Sequence, residues 1–306
     1  MGDRSAILVT GAAGLLGRSV VERLAQAGRP YLALDRVPPA DADFPIELAD
    51  LRDVARLFAL LKDGIGAIVH CGAISGPMVA PEAPALVAES NIAGTVALLE
   101  TARLFGCGRF VYCSSVSAYG ATPPGQDPVD ESAPLAARDV YGASKAAAEL
   151  MVGAYAADHG LDTVALRIGF VYGPRRRTAS MPYRMLRDAL DGAETVVADD
   201  GSRREQRIHV QDAARGLLAA LDAKTPPGRA YTLTAGTVTT QRELADAIRD
   251  VVPRARIRFT SGVVPQQVWQ GRFDISAAGK DLGWRPEIGL EEGLRDYAEW
   301  LTRHRY

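Results

Sequence analysis

Tyr141 and Lys145 stand four residues apart in Val140-Tyr141-Gly142-Ala143-Ser144-Lys145. On a helix that spacing puts both side chains on one face. A phenol with its ordinary pKa of ~10 is a poor base at neutral pH. A neighbouring ammonium stabilises the phenolate and makes it usable as one. The same lysine can hydrogen-bond a ribose, and an oxidised nicotinamide alongside would add positive charge. Ser114-Ser115 end a short β-branched run, and a hydroxyl there can hold a substrate oxygen while Tyr141 moves its proton. Singly these features are ordinary: Tyr/Lys pairs decorate many helices, and strand-end serines often cap turns. Their order and spacing, together with a glycine-rich loop, give the reading its weight.

That loop is Thr10-Gly11-Ala12-Ala13-Gly14-Leu15-Leu16-Gly17. Gly11 can make a tight turn, Gly14 lets the backbone approach a pyrophosphate, and Gly17 lets a helix pack closely on the sheet. The free N–H groups and partial positive charge of the helix start then meet the anion, with Ala13, Leu15 and Leu16 lining the approach. Asp35 lies 18 residues after Gly17, where a carboxylate can accept from the adenosine ribose and repel a 2′-phosphate. This favours NAD over NADP. Arg36 follows directly and could hold a phosphate, so it weakens that preference. Asp50 and Leu51, after a third short strand, are placed to flank the adenine, and Asp50 could equally cap a helix.

These residues need strand ends and helix starts to carry them. Strands are predicted at Ala6–Thr10, Tyr31–Leu34, Ala67–Cys71, Phe110–Ser114 and Thr163–Ile168. Helices are predicted between and after them at Gly14–Ala27, Val54–Lys62, Ser90–Phe105 and Tyr141–His159. Such alternation means a parallel sheet with helices on both faces and ligands at the carboxyl ends of the strands. After Gly173-Pro174 the pattern changes. Helices are expected near Arg184–Leu190, His209–Leu221 and Leu290–His304. We read residues 1–167 with about 205–235 as the cofactor domain, and 168–204 with about 236–306 as a substrate-binding region.

The 306-residue chain has a net charge of −2, so its overall balance attracts neither nucleic acid nor an anionic membrane surface. No apolar run reaches the ~20 residues of a membrane span, and Met1–Ser5 lacks the pattern of a signal peptide. Cys71, Cys107 and Cys113 are an odd, scattered set that argues for a reducing, cytoplasmic setting rather than a disulfide framework. His70, His159, His209 and His304 show no metal-ligand spacing, and no metal is expected.

From Ile7 to about Trp300 the chain resembles the extended short-chain dehydrogenase/reductase family, in its NAD-dependent epimerase/dehydratase branch. Besides the loop and the Tyr141/Lys145 pair, the resemblance rests on Val69–Ala73, Asn91 with Gly94, Val111–Gly120, Arg167 with Tyr172-Gly173-Pro174, His209-Val210-Gln211-Asp212, Asp274-Ile275-Ser276 and Leu282-Gly283-Trp284-Arg285-Pro286. It implies an α/β fold: a Rossmann-type doubly wound parallel sheet with a smaller C-terminal substrate-binding region. It implies Tyr141 as acid/base, Lys145 as its partner and Ser115 as the hydroxyl. Cys71, Gly72, Ala73, Asn91, Ser114 and Ile168 would lie beside the cofactor, and Ser75, Ser117, Phe170 and Arg175 beside the substrate. A homodimer through Ser90–Phe105 and Tyr141–His159 would follow the family's habit.

The chain departs from that family in instructive places. Dehydratases follow the serine or threonine with an Asp-Glu pair; here Val116-Ser117 follows, so that acid and base are gone. Three expected contacts to a sugar nucleotide's diphosphate also change. An asparagine becomes Phe170, and arginines become Glu205 and, as aligned here, Val264. A diphosphate needs charge-assisted donors, which Arg203, Arg204, Arg207 or Arg272 could restore. The leading expectation is therefore a dehydrogenase acting on a sugar, sugar acid or related hydroxy compound, with Arg175, Arg176 or Arg177 meeting a carboxylate. The alternative is a sugar or nucleotide-sugar epimerase with a transient keto intermediate. A non-catalytic NAD sensor would have no need for Ser115, Tyr141 and Lys145 together.

Overall fold

The structure, a computed structural model, describes residues 5–38, 43–76, 79–122, 125–176, 178–225, 228–262 and 270–305. The first half alternates strands and helices except where β3 follows β2 directly: β1 Ile7–Thr10, α1 Leu15–Gln26, β2 Tyr31–Asp35, β3 Glu47–Leu48, α2 Val54–Leu61 and β4 Ala67–His70. A long helical run follows as α3 Pro84–Ala88, a π-turn Glu89–Ala93 and α4 Gly94–Phe105. Then come β5 Arg109–Ser115, a 3-10 turn Val116–Tyr119, α5 Val140–His159 and β6 Thr163–Ile168. The remainder contains β7 Phe170–Tyr172, α6 Met181–Asp191, β8 Glu194–Val197, β9 Arg204–Glu205, β10 Arg207–His209, α7 Val210–Asp222 and β11 Arg229–Leu233. It ends with β12 Thr239–Thr240, α8 Gln241–Val251, β13 Arg256–Phe259, α9 Ser276–Asp281 and α10 Leu290–Arg303.

Seven strands form one parallel sheet in the order β11-β6-β5-β4-β1-β2-β3. Its two faces read off the alternation of side chains along each strand. Val9, Val69, Val111 and Leu166 face α1 and α7. Leu8, Ile68, Phe110 and Ala165 face α2, α4 and α5. Burial on both sides is why these strands are apolar throughout rather than half-polar. The strand order reverses between β1 and β4, which opens a crevice at their carboxyl ends. The Rossmann-type sheet expected from the sequence is present, extended by β3 and β11.

A smaller layer stands over that edge. It contains α6, α8 and α10 around Leu186, Leu244, Ile248 and Leu294, with β8 paired to β13. The segment holding β9 and β10 stays outside the main sheet: β10 pairs with β7 and β9 with β12. Ser180 caps α6, and Thr240 with Glu243 forms a reciprocal capping box on α8.

Two buried polar networks fix the layers around the crevice. In the first, the Thr95 hydroxyl donates to the Asn91 carbonyl (2.7 Å) and therefore accepts from His70 Nε2–H (2.9 Å). The Thr10 hydroxyl accepts from Gly72 N–H (3.1 Å) and donates to His70 Nδ1 (2.7 Å). Every partner is satisfied by a neutral imidazole. Asn91 completes the link: its side chain accepts from Ile74 N–H (2.8 Å) and donates to the Ile74 carbonyl and the Ser144 hydroxyl (both 3.0 Å). In the second network, Glu149 Oε1 accepts from Arg167 Nε and Nη2 (2.9 and 2.6 Å), and its Oε2 accepts from the Ser114 hydroxyl (2.6 Å). Arg167 Nη1 donates to the Tyr119 hydroxyl (2.8 Å) and the Glu131 carbonyl (2.9 Å).

Burial pulls the His70 pKa down from 6.5 to about 3, with the Lys145 ammonium adding to the effect. Between those values the unfolded chain binds a proton here and the native chain does not. Stability is therefore lost as pH falls through that window, and nothing is lost above it. Chemical denaturation of wild type and His70→Gln from pH 7 to pH 4 should show a shallower acid slope in the variant; equal slopes would contradict this. The side chains of Glu149 and Arg167 are only 8% and 7% exposed, so Glu149→Ala strands a buried cation. Urea unfolding should register a loss of roughly 3–5 kcal/mol, and Glu149→Leu with Arg167→Met should recover much of it. A loss near zero for the single variant would remove the pair from the fold's supports.

Candidate active site

The glycine loop turns out of β1 with Gly11 at φ +67°, a conformation glycine adopts without strain. A Cβ at Gly11 would lie 2.7 Å from the Gly72 nitrogen, and one at Gly17 would lie 2.1 Å from the Gly11 oxygen. No side chain fits at either position, so the loop lies flat between α1 and the end of β4. Gly14 occupies the N-cap of α1 and, having no side chain, offers no cap. The first N–H groups of α1 thus face the crevice edge without a side-chain acceptor at that cap, as an anion site requires. Asp35 Oδ2 accepts from Ala13 N–H (2.9 Å), and its other oxygen accepts from Arg36 N–H (2.7 Å). The carboxylate is thereby held at the rim of the loop, while Arg36 lies exposed beside it. Leu15 and Leu16 begin α1, with Leu16 packed against the core.

Beyond Asp35 the sequence-predicted residues divide. Leu51 is buried against Gly72 and Gly94: a Cβ at Gly72 would meet its Cδ1 at 3.0 Å, and one at Gly94 its Cβ at 2.8 Å. Asp50 is bound by the Arg52 guanidinium, whose hydrogen bond holds its carboxyl down at about 2. Cys71, Gly72 and Ala73 leave β4 directly beneath the glycine loop. Ile168 is the register partner of Ser115 at the end of β6. Asn91 and Ser114 serve the two networks described above rather than lining the crevice freely.

Ser115 ends β5, and its Oγ accepts from Ser117 N–H (3.1 Å), leaving its own proton to donate elsewhere. Helix α5 starts against this turn: a Cβ at Gly142 would lie 2.5 Å from the Ser117 carbonyl oxygen. Asp139 caps the helix by accepting from Gly142 N–H (2.8 Å). The Ser144 hydroxyl, which accepts from Asn91, donates to the Tyr141 carbonyl (2.7 Å). Tyr141 is thus held next to the serine turn by backbone contact on one side and the Asn91 network on the other. Lys145 is 3% exposed, and its ammonium donates to the Cys113 carbonyl (2.7 Å) and lies 5.0 Å from the Tyr112 ring centre. Burial alone would depress its pKa. The phenols of Tyr112 and Tyr141 and the thiols of Cys113 and Cys71 outweigh that, so the ammonium is held above its ordinary range.

On the substrate side, Ser75 is exposed and Ser117 is half-buried beside Ser115. Phe170 carries the Arg176 guanidinium 4.5 Å above its ring. Burial lowers the Arg176 pKa, while Tyr297, Glu205 and Tyr141 push the other way, so the cation sits within reach of the field of Tyr141. Arg175 is drawn away to α1, where it pairs with Glu22 at 2.8 Å. Glu205 is paired with Arg207 (2.8 Å) and Arg203 (3.3 Å). Val264 and Arg177 lie outside the described residues. The sequence reading missed Glu149, although its spacing continues the Tyr141, Lys145 face by four more residues. It also missed the His70–Thr10–Thr95 chain, which no local pattern announces.

The model of the NAD dependent epimerase/dehydratase family matches residues 7–234. A dTDP-glucose 4,6-dehydratase of Actinoplanes sp. is 30% identical over 98% of this chain and 98% of its own length. A UDP-glucuronate 4-epimerase of Thermodesulfobacterium geofontis is 28% identical over 96% of this chain and 95% of its own. Among solved structures, the UDP-glucose 4-epimerase of Thermotoga maritima with UDP-glucose superposes with a TM-score of 0.89 at 25% identity, covering 97% of this chain and 99% of that one. MoeE5 in complex with UDP-glucuronic acid and NAD superposes with a TM-score of 0.86 at 28% identity, over 97% and 99% of the two chains. The glycine cradle and Asp35 fit the dinucleotide that MoeE5 holds. The chain is an enzyme of the NAD-dependent epimerase/dehydratase family.

Proposed function

We propose that this chain is an epimerase that oxidises a carbinol carbon of a nucleotide-linked sugar and reduces it again from the opposite face. One observation carries the proposal: Ser115, the start of α5 with Tyr141, and buried Lys145 converge at the end of β5, with only β4 between it and the strand that leads into the glycine loop. The glycine loop and Asp35 would hold NAD there, and the cofactor would supply the hydride acceptor and donor. The chain's own residues handle the proton. Ser115 has a free O–H to donate to the substrate oxygen, and Tyr141 takes that oxygen's proton and later returns it. Lys145 supplies a buried positive charge for the phenolate at no cost in reorganisation.

Relatives that act on dTDP- and UDP-sugars over nearly the whole chain support the nucleotide-linked substrate. They favour an epimerase over the simple dehydrogenase that the altered diphosphate contacts suggested. Dehydration is disfavoured because Val116-Ser117 offers no carboxylates beside Ser115. The dehydrogenase reading, on a free sugar acid, keeps one specific support: Glu205 occupies a place where a cation would grip diphosphate, and Arg176 offers a cation for a carboxylate near Tyr141.

The experiment incubates purified chain and NAD with UDP-glucose, UDP-glucuronate, dTDP-glucose, free glucose and free glucuronate, reading NADH absorbance and product NMR together. An epimer formed from a nucleotide sugar without net NADH is the expected result. Steady NADH from a free sugar acid would replace this proposal with the second reading. Tyr141→Phe should lower turnover by ~10²–10⁴-fold with NAD affinity nearly unchanged; full activity would overturn its role. We further propose that two copies pair through α4 and α5, which leave Leu104 and Leu150 50% and 66% exposed. Light scattering should give twice the mass of one chain, and a monomer would refute the pairing.

A further inference from the structure

Cys71, half-buried, and Cys113, buried, are nucleophiles for which hydride chemistry has no use. Strands β4 and β5 run parallel with His70 opposite Tyr112. Carrying that register forward by one residue sets Cys71 opposite Cys113. Neighbouring strands lie about 4.8 Å apart, inside the Cα separation of about 4.4–6.8 Å that a disulfide spans. Cys113 belongs to the core cluster of Val69 and Val111, and Cys71 packs against that same cluster, so both side chains point to one face. The two thiols also feel each other. Their mutual hydrogen bond raises the Cys71 pKa well above the usual thiol range and lowers that of Cys113, with the Lys145 ammonium favouring the charged form of each. Cys107 lies just before the far end of β5. Its Sγ donates to the Arg109 carbonyl, and burial pushes its pKa up to about 12.

We propose that Cys71 and Cys113 form a dithiol oxidation site, which a peroxide entering the cofactor crevice closes to a disulfide, switching off dinucleotide binding. The Cys113 thiolate attacks one peroxide oxygen, the O–O bond breaks, and the departing hydroxide takes a proton to leave as water. The sulfenic acid so formed is then attacked by the Cys71 sulfur. The S–S bond forms, the S–O bond breaks, and the Cys71 proton leaves with the hydroxide as a second water. The two thiols are oxidised by two electrons, and the peroxide is reduced by two.

The fold links this bond to function at both ends. The glycine loop rests on Cys71 and Gly72: a Cβ at Gly11 would lie 2.8 Å from the Cys71 carbonyl carbon. The Cys113 carbonyl is the anchor of Lys145. A disulfide holds its Cβ atoms at about 3.8 Å, so closure locks the two strand ends into one geometry. Bound NAD would cover the same strand ends and shield the thiols. That part rests on the cofactor reading, whereas bond formation is read by mass and stands or falls separately.

The test treats the reduced, NAD-free full chain with hydrogen peroxide, alkylates the remaining thiols and maps the peptides. The expected result is a Cys71–Cys113 linked peptide, an alkylated Cys107, loss of most NAD binding by calorimetry, and recovery of both thiols and binding with dithiothreitol. Saturating NAD should slow linkage several-fold. After the same treatment, Cys71→Ser and Cys113→Ala should each keep most of whatever NAD binding they had before it. Alkylation of Cys71 and Cys113 along with Cys107 after peroxide, or oxidation without a linked peptide, overturns the site. Linkage that leaves NAD affinity intact, or that proceeds as fast under saturating NAD, overturns its tie to the cofactor while leaving the epimerase reading untouched.

Discussion

Glu149 and Arg167 form the joint on which the catalytic end of the sheet is built. The carboxylate sits on α5, one turn beyond Lys145, and the guanidinium on β6, opposite Ser114. Two N–H groups of Arg167 grip one oxygen of Glu149 in a nearly dry setting, so neither group can drift without leaving a charge unpaired in low dielectric. The remaining lone pairs and protons of the two are spent on Ser114, Tyr119 and the Glu131 backbone. One ion pair thereby fixes the helix that carries Tyr141, the strand that carries Ser115, and the turn after it. A packed apolar contact could supply the same stability, but it would not set direction with comparable sharpness.

The electrostatics of the site follow from that geometry. Lys145 is buried yet charged because two phenols, two thiols and a backbone carbonyl surround it. Its field reaches the imidazole of His70 on the other side of Tyr112, which remains neutral and hands its two nitrogens to two threonines. The Lys145 ammonium thus stands at the strand ends with a neutral imidazole behind it on one side and the closed Glu149–Arg167 pair on the other. Such an arrangement is already oriented before substrate arrives, which is what makes fixed charges effective in a site that excludes water.

Much of this was legible in the amino-acid sequence, because the relevant signals are local. The run of Gly11, Gly14 and Gly17 between a strand and a helix, Asp35 at the next strand end, and the Tyr141/Lys145 spacing each reflect a backbone or helix-face requirement that neighbouring residues disclose. The five predicted strands coincide with strands of the sheet to within a residue or so. What stayed hidden is non-local. The Glu22–Arg175 contact spans 153 positions and the Asn91–Ser144 bond spans 53. Nothing beside Arg175 shows that α1 holds it, and nothing beside Phe170 shows that Arg176 stacks on it. The substrate reading divides along the same line: single lost contacts point to a small substrate, whereas the relatives that match along nearly the whole chain are named for dTDP- and UDP-sugars.

The π-turn at Glu89–Ala93 has a meaning for how such a site could arise. A regular helix through Pro84–Phe105 would carry one residue fewer in that turn, and every later side chain would be rotated by about a quarter turn or more. With the extra residue, Asn91 reaches Ile74 and Ser144 while Gly94 still passes close over Leu51. The irregularity acts as a phase shifter: it lets one helix answer two geometries, the packing of the sheet face and the aim of an amide. Smoothing it away would turn either Asn91 or Gly94 out of its contact, so a more regular helix here would cost the link from this helix to Ile74 and Ser144.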